Sequence, residues 1–222
     1  MSFSKLFLSR GKRQGAEEWV LFCILCCLFS LLLSCSTKRI EIPIYEGVDP
    51  REELAKRDNV ESIRSTFSIE FERDGGVIRG DAVLHLTSDA LTLRIYSLGF
   101  LVAEVISNET ITKSDPPMDR NRIDMLVDGI RNSFFWWSIK DYDIQETEKT
   151  YRLSNSWRRL FLDKRTLLPD KQIIQLEDGK ELNILYEEPD QIGGLWFPSK
   201  MRIGLSRYSV NLRIKTLTVI PR

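Results

Sequence analysis

The chain has 222 residues, 42% of them hydrophobic and 29% charged, and 32 basic residues balance 32 acidic ones. Balanced charge argues against the basic footprint of a nucleic-acid binder, and the apolar content excludes an unfolded polar chain. The length suits one domain, or at most two, with a core large enough to stand without staples.

The first segment reads as a leader. Lys5, Arg10, Lys12 and Arg13 give a positive start, Glu17 and Glu18 follow, and an apolar run extends from Trp19 to Leu33. At 15 residues the run is shorter than the roughly 20 that a membrane-spanning helix needs, so a signal peptide over 1–34 is the expected reading rather than an anchor helix. The run ends in Leu32-Leu33-Ser34-Cys35, a tetrapeptide that resembles the bacterial lipobox. That resemblance implies a diacylglyceryl group on the Cys35 thiol, removal of 1–34 and acylation of the new amino terminus. Each buried methylene contributes about 0.8 kcal/mol, so two or three chains anchor stably where one would not. Ser36 after the cysteine implies the outer membrane. Cys23, Cys26 and Cys27 leave with the leader, and the Cys23/Cys26 spacing in an apolar run reads as small hydrophobes rather than redox or metal chemistry. The mature chain keeps only a lipidated cysteine, so its stability must come from packing.

Residues 35–48 carry few structural signals and read as a lipidated N-terminus and tether; 49–222 read as one domain. Asp49 is a good helix N-cap, Pro50 suits the first turn and Glu52 the capping-box position, which predicts a helix to about Ser65 with a weak stripe of Leu54, Val60 and Ile63. Phe67, Ile69 and Phe71 then alternate with polar residues, and Asp74-Gly75-Gly76 is a hairpin signal. The return strand, Val77 to Thr87, places Ile78, Ala82, Leu84 and Leu86 on one face. Leu91, Leu93 and Ile95 continue the alternation, Leu98-Gly99 breaks it, and Phe100 to Ser107 forms another strand, completing a β-meander.

The middle changes period. Ile123, Leu126, Val127, Ile130 and Phe134 form a helical stripe opening near Asp119 to Asn121. Phe134-Phe135-Trp136-Trp137 follows, a cluster that either fills a core or lines an apolar cavity; Trp157 and Phe161 carry the same two readings. Strand patterns return at 151–154, 157–162, 172–177, 182–186, 196–205 and 210–219. About ten strands and two helices predict a mostly β, α+β fold: an antiparallel, strongly curled sheet with helices against its concave face. Little points to catalysis. His85, the only histidine, sits on the strand face opposite Leu84 and Leu86; no His/Cys cluster suggests zinc, and no glycine-rich loop suggests a phosphate. The acidic pairs Asp141/Asp143 and Glu187/Glu188 read as charged turns.

Ser65 to Ser107 resembles the N-terminal half of the lipoprotein-localisation family of LolB and LolA. The shared order is strand, glycine turn, strand rich in small and apolar residues, then a strand ending in a Leu-Gly turn, here Tyr96-Ser97-Leu98-Gly99-Phe100-Leu101. Leu168-Pro169-Asp170-Lys171, Glu177-Asp178-Gly179-Lys180, Leu182 to Tyr186 and Leu195-Trp196-Phe197-Pro198 are also similar. The resemblance implies an open, unclosed β-barrel capped by helices, with acyl chains held between. It implies a non-catalytic protein of the outer membrane, facing the periplasm, that helps insert other lipoproteins. Leu98, Gly99, Phe100 and Leu101 would be its membrane-contacting release loop. Phe67, Ile69, Leu84, Leu93, Ile130, Phe134, Trp136 and Trp157 would line the acyl-chain cavity. The implied partners are the membrane, reached through the lipid on Cys35, the acyl chains of client lipoproteins and a LolA-like carrier. No cofactor, metal or nucleic acid is implied, and a monomer is expected. The alternative is an envelope lipoprotein of the same fold that binds a protein partner as an assembly or scaffolding factor. An open apolar pocket favours the first reading, a filled interior the second.

Overall fold

The computed structural model describes residues 41–45, 47–73 and 76–222; the signal peptide, Cys35 and the first part of the tether lie outside them. Ile42–Arg222 form one compact unit. Its end of the tether is tied down, with the Tyr45 amide donating to the Arg165 carbonyl at 2.7 Å.

Helix α1 (Pro50–Arg57) starts as its residues dictate, the Asp49 carboxylate accepting from the Arg51 amide and Pro50 opening the first turn. It stops at Arg57, eight residues short of expectation, and strand β1 (Val60–Arg73) takes over. The supposed helical stripe of Val60 and Ile63 belongs to a strand alternation of Ile63, Ser65, Phe67 and Ile69, all buried. Ser65 hides that pattern in the sequence; its hydroxyl is buried because it donates to the Thr216 carbonyl at 2.7 Å.

The meander continues as β2 (Gly76–Thr87), β3 (Leu91–Ser97), β4 (Phe100–Ser107) and β5 (Thr112–Asp115). A helical segment follows: α2 (Arg120–Asp124) capped by the Asp119 carboxylate, a π-helical turn (Met125–Gly129) and α3 (Ile130–Phe134). The chain then adds β6 (Asp143–Glu146), β7 (Thr150–Ser154), β8 (Arg158–Asp163), β9 (Pro169–Gln175), β10 (Glu181–Ile192), β11 (Leu195–Leu205) and β12 (Tyr208–Pro221). All twelve strands of the described residues lie in one antiparallel sheet ordered β5-β4-β3-β2-β1-β12-β11-β10-β9-β8-β7-β6. Two strands exceed the expected ten: β5 and β6, four mostly polar residues each, which cap the two edges of the sheet. Short polar edge strands carry no apolar alternation and discourage pairing with another chain.

The sheet curls. The π-helical turn touches β4 on one arm and both β10 and β11 on the other. Six strand spacings of about 4.8 Å would hold β4 and β10 roughly 29 Å apart in a flat sheet. One five-residue turn can meet both only if the sheet wraps around it. Since β5 and β6 end the order without pairing to each other, the barrel is open, mostly β and antiparallel, with its helical segment against the concave face.

Candidate functional site

The β3–β4 connection is a two-residue turn, Leu98-Gly99, with φ of 51° and 84°. A tight hairpin of this kind needs positive φ at both central residues, which suits Gly99 and suits Leu98 poorly. A leucine in the left-handed region costs on the order of 1–2 kcal/mol, and its side chain here is 96% exposed. Both penalties fall on the same residue, where asparagine or glycine would meet neither. The apolar surface continues through Phe100, Leu101 and Val102, all exposed. A bulge helps: Tyr96 pairs with Leu101 and Ile95 with Ala103, leaving Val102 as the extra residue that re-aims its neighbours. Beside this tip the β1–β2 hairpin runs past the last β2–β3 pair, Asp81 with Tyr96. Its Val77 and Ile78 are exposed too. Ile78 shares the inward face of β2 with Ala82, Leu84 and Leu86, as the alternation predicts, but it stands beyond any covering strand.

The expected cavity residues divide. Phe67, Ile69, Leu84, Leu93, Ile130, Phe134 and Trp136 are buried in one core cluster. Phe134 bridges sheet and helix, its ring 5.7 Å from Phe67 and 5.9 Å from Phe197, and Trp137 meets Trp136 edge-on at 5.4 Å. In this conformation side chains occupy the space between the helical segment and the sheet. Trp157 is the member of the set that lines an open space. It and Phe161 stand in the opposite phase of the strand to Arg158, Leu160 and Leu162, which are buried.

That open space is a cleft of about 1040 Å³ between the outer side of the helical segment, the α1–β1 corner and the β8–β9 region. Trp137, Phe135, Ile174 and Leu176 supply apolar lining, and Arg57, Arg120, Arg131, Arg158 and Lys140 supply positive charge. Asp58, Asp124, Asp128 and Glu177 line it as well. Several of these charges are mutually engaged: Arg120 with Asp124 at 2.8 Å and Lys140 with Asp58 at 3.3 Å. Burial, and then the Asp124 carboxylate, push the Asp128 carboxyl above the usual range, while Arg131 opposes both.

Arg158 is different. Its side chain is 1% exposed, and burial pushes its guanidinium down to about 10, so it remains charged at neutral pH. Its Nη2 donates to the Trp136 carbonyl at 2.7 Å and its Nε to Gln172 Oε1 at 2.9 Å, both neutral acceptors. Its Nη1 has no partner among the described residues. The signal was present in the sequence: Arg158 shares the inward phase with Leu160 and Leu162, and an arginine at an inward strand position is a buried charge awaiting explanation.

No family model and no curated protein matches this sequence. Solved structures do. A DUF1329 family protein from Desulfovibrio piger superposes with a TM-score of 0.55 at 12% identity, covering 77% of this chain and 90% of the other. A LolA superfamily protein from Nitrosomonas europaea gives 0.53 at 11% identity, covering 79% and 96%. At such identities the likeness is one of fold: the chain has the LolA-like architecture, an unclosed antiparallel sheet curled around a few helices.

Proposed function

We propose that this protein is a non-catalytic, outer-membrane-anchored lipoprotein that takes the acyl chains of other lipoproteins and helps insert them into the bilayer, in the manner of LolB. The observation that carries the proposal is the Leu98 tip. An apolar side chain held in a costly backbone conformation and left 96% exposed is explained by a partner that is itself apolar. Phe100 and Leu101 widen that contact, and a bilayer is the apolar surface nearest a protein tethered by lipid on Cys35. The LolA-like fold supports the same reading, because the LolA superfamily is the architecture this chain shares. Acyl chains would enter between the helical segment and the sheet, with the π-helical turn as the element that shifts. Insertion of this kind needs no bond made or broken; it exchanges one apolar environment for another.

A second reading is favoured by a specific observation: the filled interior. With Phe67, Leu84, Leu93, Ile130, Phe134 and Trp136 packed at 0–1% exposure, the protein as it stands resembles a scaffold that binds a protein partner. Leu98→Glu separates the two. The variant should melt within a degree or two of wild type, since surface changes usually stay within about 0.5 kcal/mol. Transfer of an acylated lipoprotein from a carrier to liposomes should nevertheless be lost. Unchanged transfer at an unchanged midpoint would leave the scaffold reading in possession.

A further inference from the structure

The arginine-lined cleft is independent of the Leu98 tip and unused by the proposal above. Three of its arginines carry buried nitrogens without partners among the described residues: Nε and Nη1 of Arg57, Nε and Nη2 of Arg131, and Nη1 of Arg158. Two of them converge on one tryptophan. Arg57 stacks over the Trp136 ring at 4.8 Å, and Arg158 donates to the Trp136 carbonyl at 2.7 Å. Arg131 sits one helical turn before Phe135, whose amide donates to the Arg131 carbonyl and whose own carbonyl is the far acceptor of Arg158 Nη2. Arg57 and Arg158 therefore meet around residues 135–137, and Arg131 lines the same cleft.

A structural role accounts for part of this. Arg158 ties strand β8 to the end of the helical segment through neutral carbonyls. It does not account for the charge. Among the described residues Arg158 has no carboxylate partner, and Arg57 has Glu53, at 3.8 Å. A buried guanidinium without a counter-ion is costly, and a donor left unmade adds to that cost. Asp124 and Asp58 are held by Arg120 and Lys140, and Asp128 interacts with Arg131, so Arg57 and Arg158 are not relieved by them.

We infer that the cleft binds a phosphate group, its oxygens received by Arg131 and Arg158 with Arg57 behind them. Five unpartnered nitrogens on three planar forks exceed what one carboxylate can accept, and a small side-chain shift would turn them to the several oxygens of a phosphate. Trp137 and Phe135 beside the arginines give the rest of the ligand an apolar wall. The phosphate could arrive on a lipid headgroup or free in solution, and the two sources are separable.

The test is calorimetric titration of the full-length protein in non-ionic detergent micelles, with inorganic phosphate and with dihexanoylphosphatidic acid. Saturable one-to-one binding of at least one probe is expected. Tighter binding of the lipid would assign the site to a headgroup, and equal binding to free phosphate. Arg131→Gln, on a partly buried residue, should keep the circular-dichroism spectrum and weaken binding about tenfold, the worth of one charge-assisted pair. Arg158→Gln should abolish binding; if that variant does not fold, Arg131→Gln decides alone. Absence of saturable binding with both probes, or an unchanged affinity in Arg131→Gln, overturns the inference. Leu98→Glu should bind as wild type, so this site and the membrane tip stand or fall separately.

Discussion

Leu98 and Arg158 are each a residue in a place that chemistry disfavours. Leu98 combines positive φ with near-complete exposure, and Arg158 combines full charge with near-complete burial. For Leu98 the conflict can be measured. Asparagine tolerates the left-handed region through local hydrogen bonding, so Leu98→Asn should stabilise the fold by roughly 0.5–1 kcal/mol while weakening attachment to liposomes. Chemical denaturation and liposome flotation on the same preparation would read both quantities. A variant that is more stable and equally well attached would show that the leucine has no membrane role.

The helical segment is the element on which the fold turns. Its two α-helical pieces are joined by a π-helical turn, and Gly129 ends that turn against β11. A Cβ at this position would lie 2.7 Å from Ile203 Cγ2, closer than real side chains approach. Gly129→Ala should therefore push the segment off the sheet and destabilise the protein by about 1–3 kcal/mol, as overpacking usually does. A lowered thermal midpoint with retained sheet signal is the expected outcome; an unchanged midpoint would mean the segment rides loosely on its bed. Loosening here bears on function, since the proposed route for acyl chains lies beneath this segment. Two side chains already draw on its backbone, the Ser133 hydroxyl donating to the Gly129 carbonyl and the Asn132 amide to the Asp128 carbonyl. Side-chain bonds to carbonyls four residues back loosen a helix rather than strengthen it.

For the whole molecule, the open sheet and the tether set the working arrangement. The apolar tips of the β1–β2 and β3–β4 hairpins lie at one end of the sheet, because β1 and β3 run the same way through the antiparallel order. The described end of the tether is held at the opposite end, where Tyr45 meets Arg165 of the β8–β9 turn, so the lipid proposed on Cys35 would reach the bilayer through the residues between 35 and 45. Cys35→Ser should block labelling by radioactive palmitate and leave a larger precursor, and it should abolish delivery even with Leu98 intact. Undiminished labelling of the variant would remove the lipid anchor from the account.

Much of this protein was legible in its residues. Alternation marked ten of the twelve strands, because a half-buried strand must place apolar side chains every second position. Asp119 marked the start of the helical segment, and the Leu-Gly pair marked the exposed turn. Other features depended on long-range contacts. Whether Val60 and Ile63 continued a helix or began a strand was settled by Thr216, a partner 151 residues from Ser65. The two edge strands carry no apolar pattern, and pairing with a neighbour alone makes them strands. The same sequence of aromatics could fill a core or line a cavity. The curl of the sheet brings Phe67, Phe197 and the helical segment to one point, and leaves Arg158 lining a cleft that no local pattern could foretell.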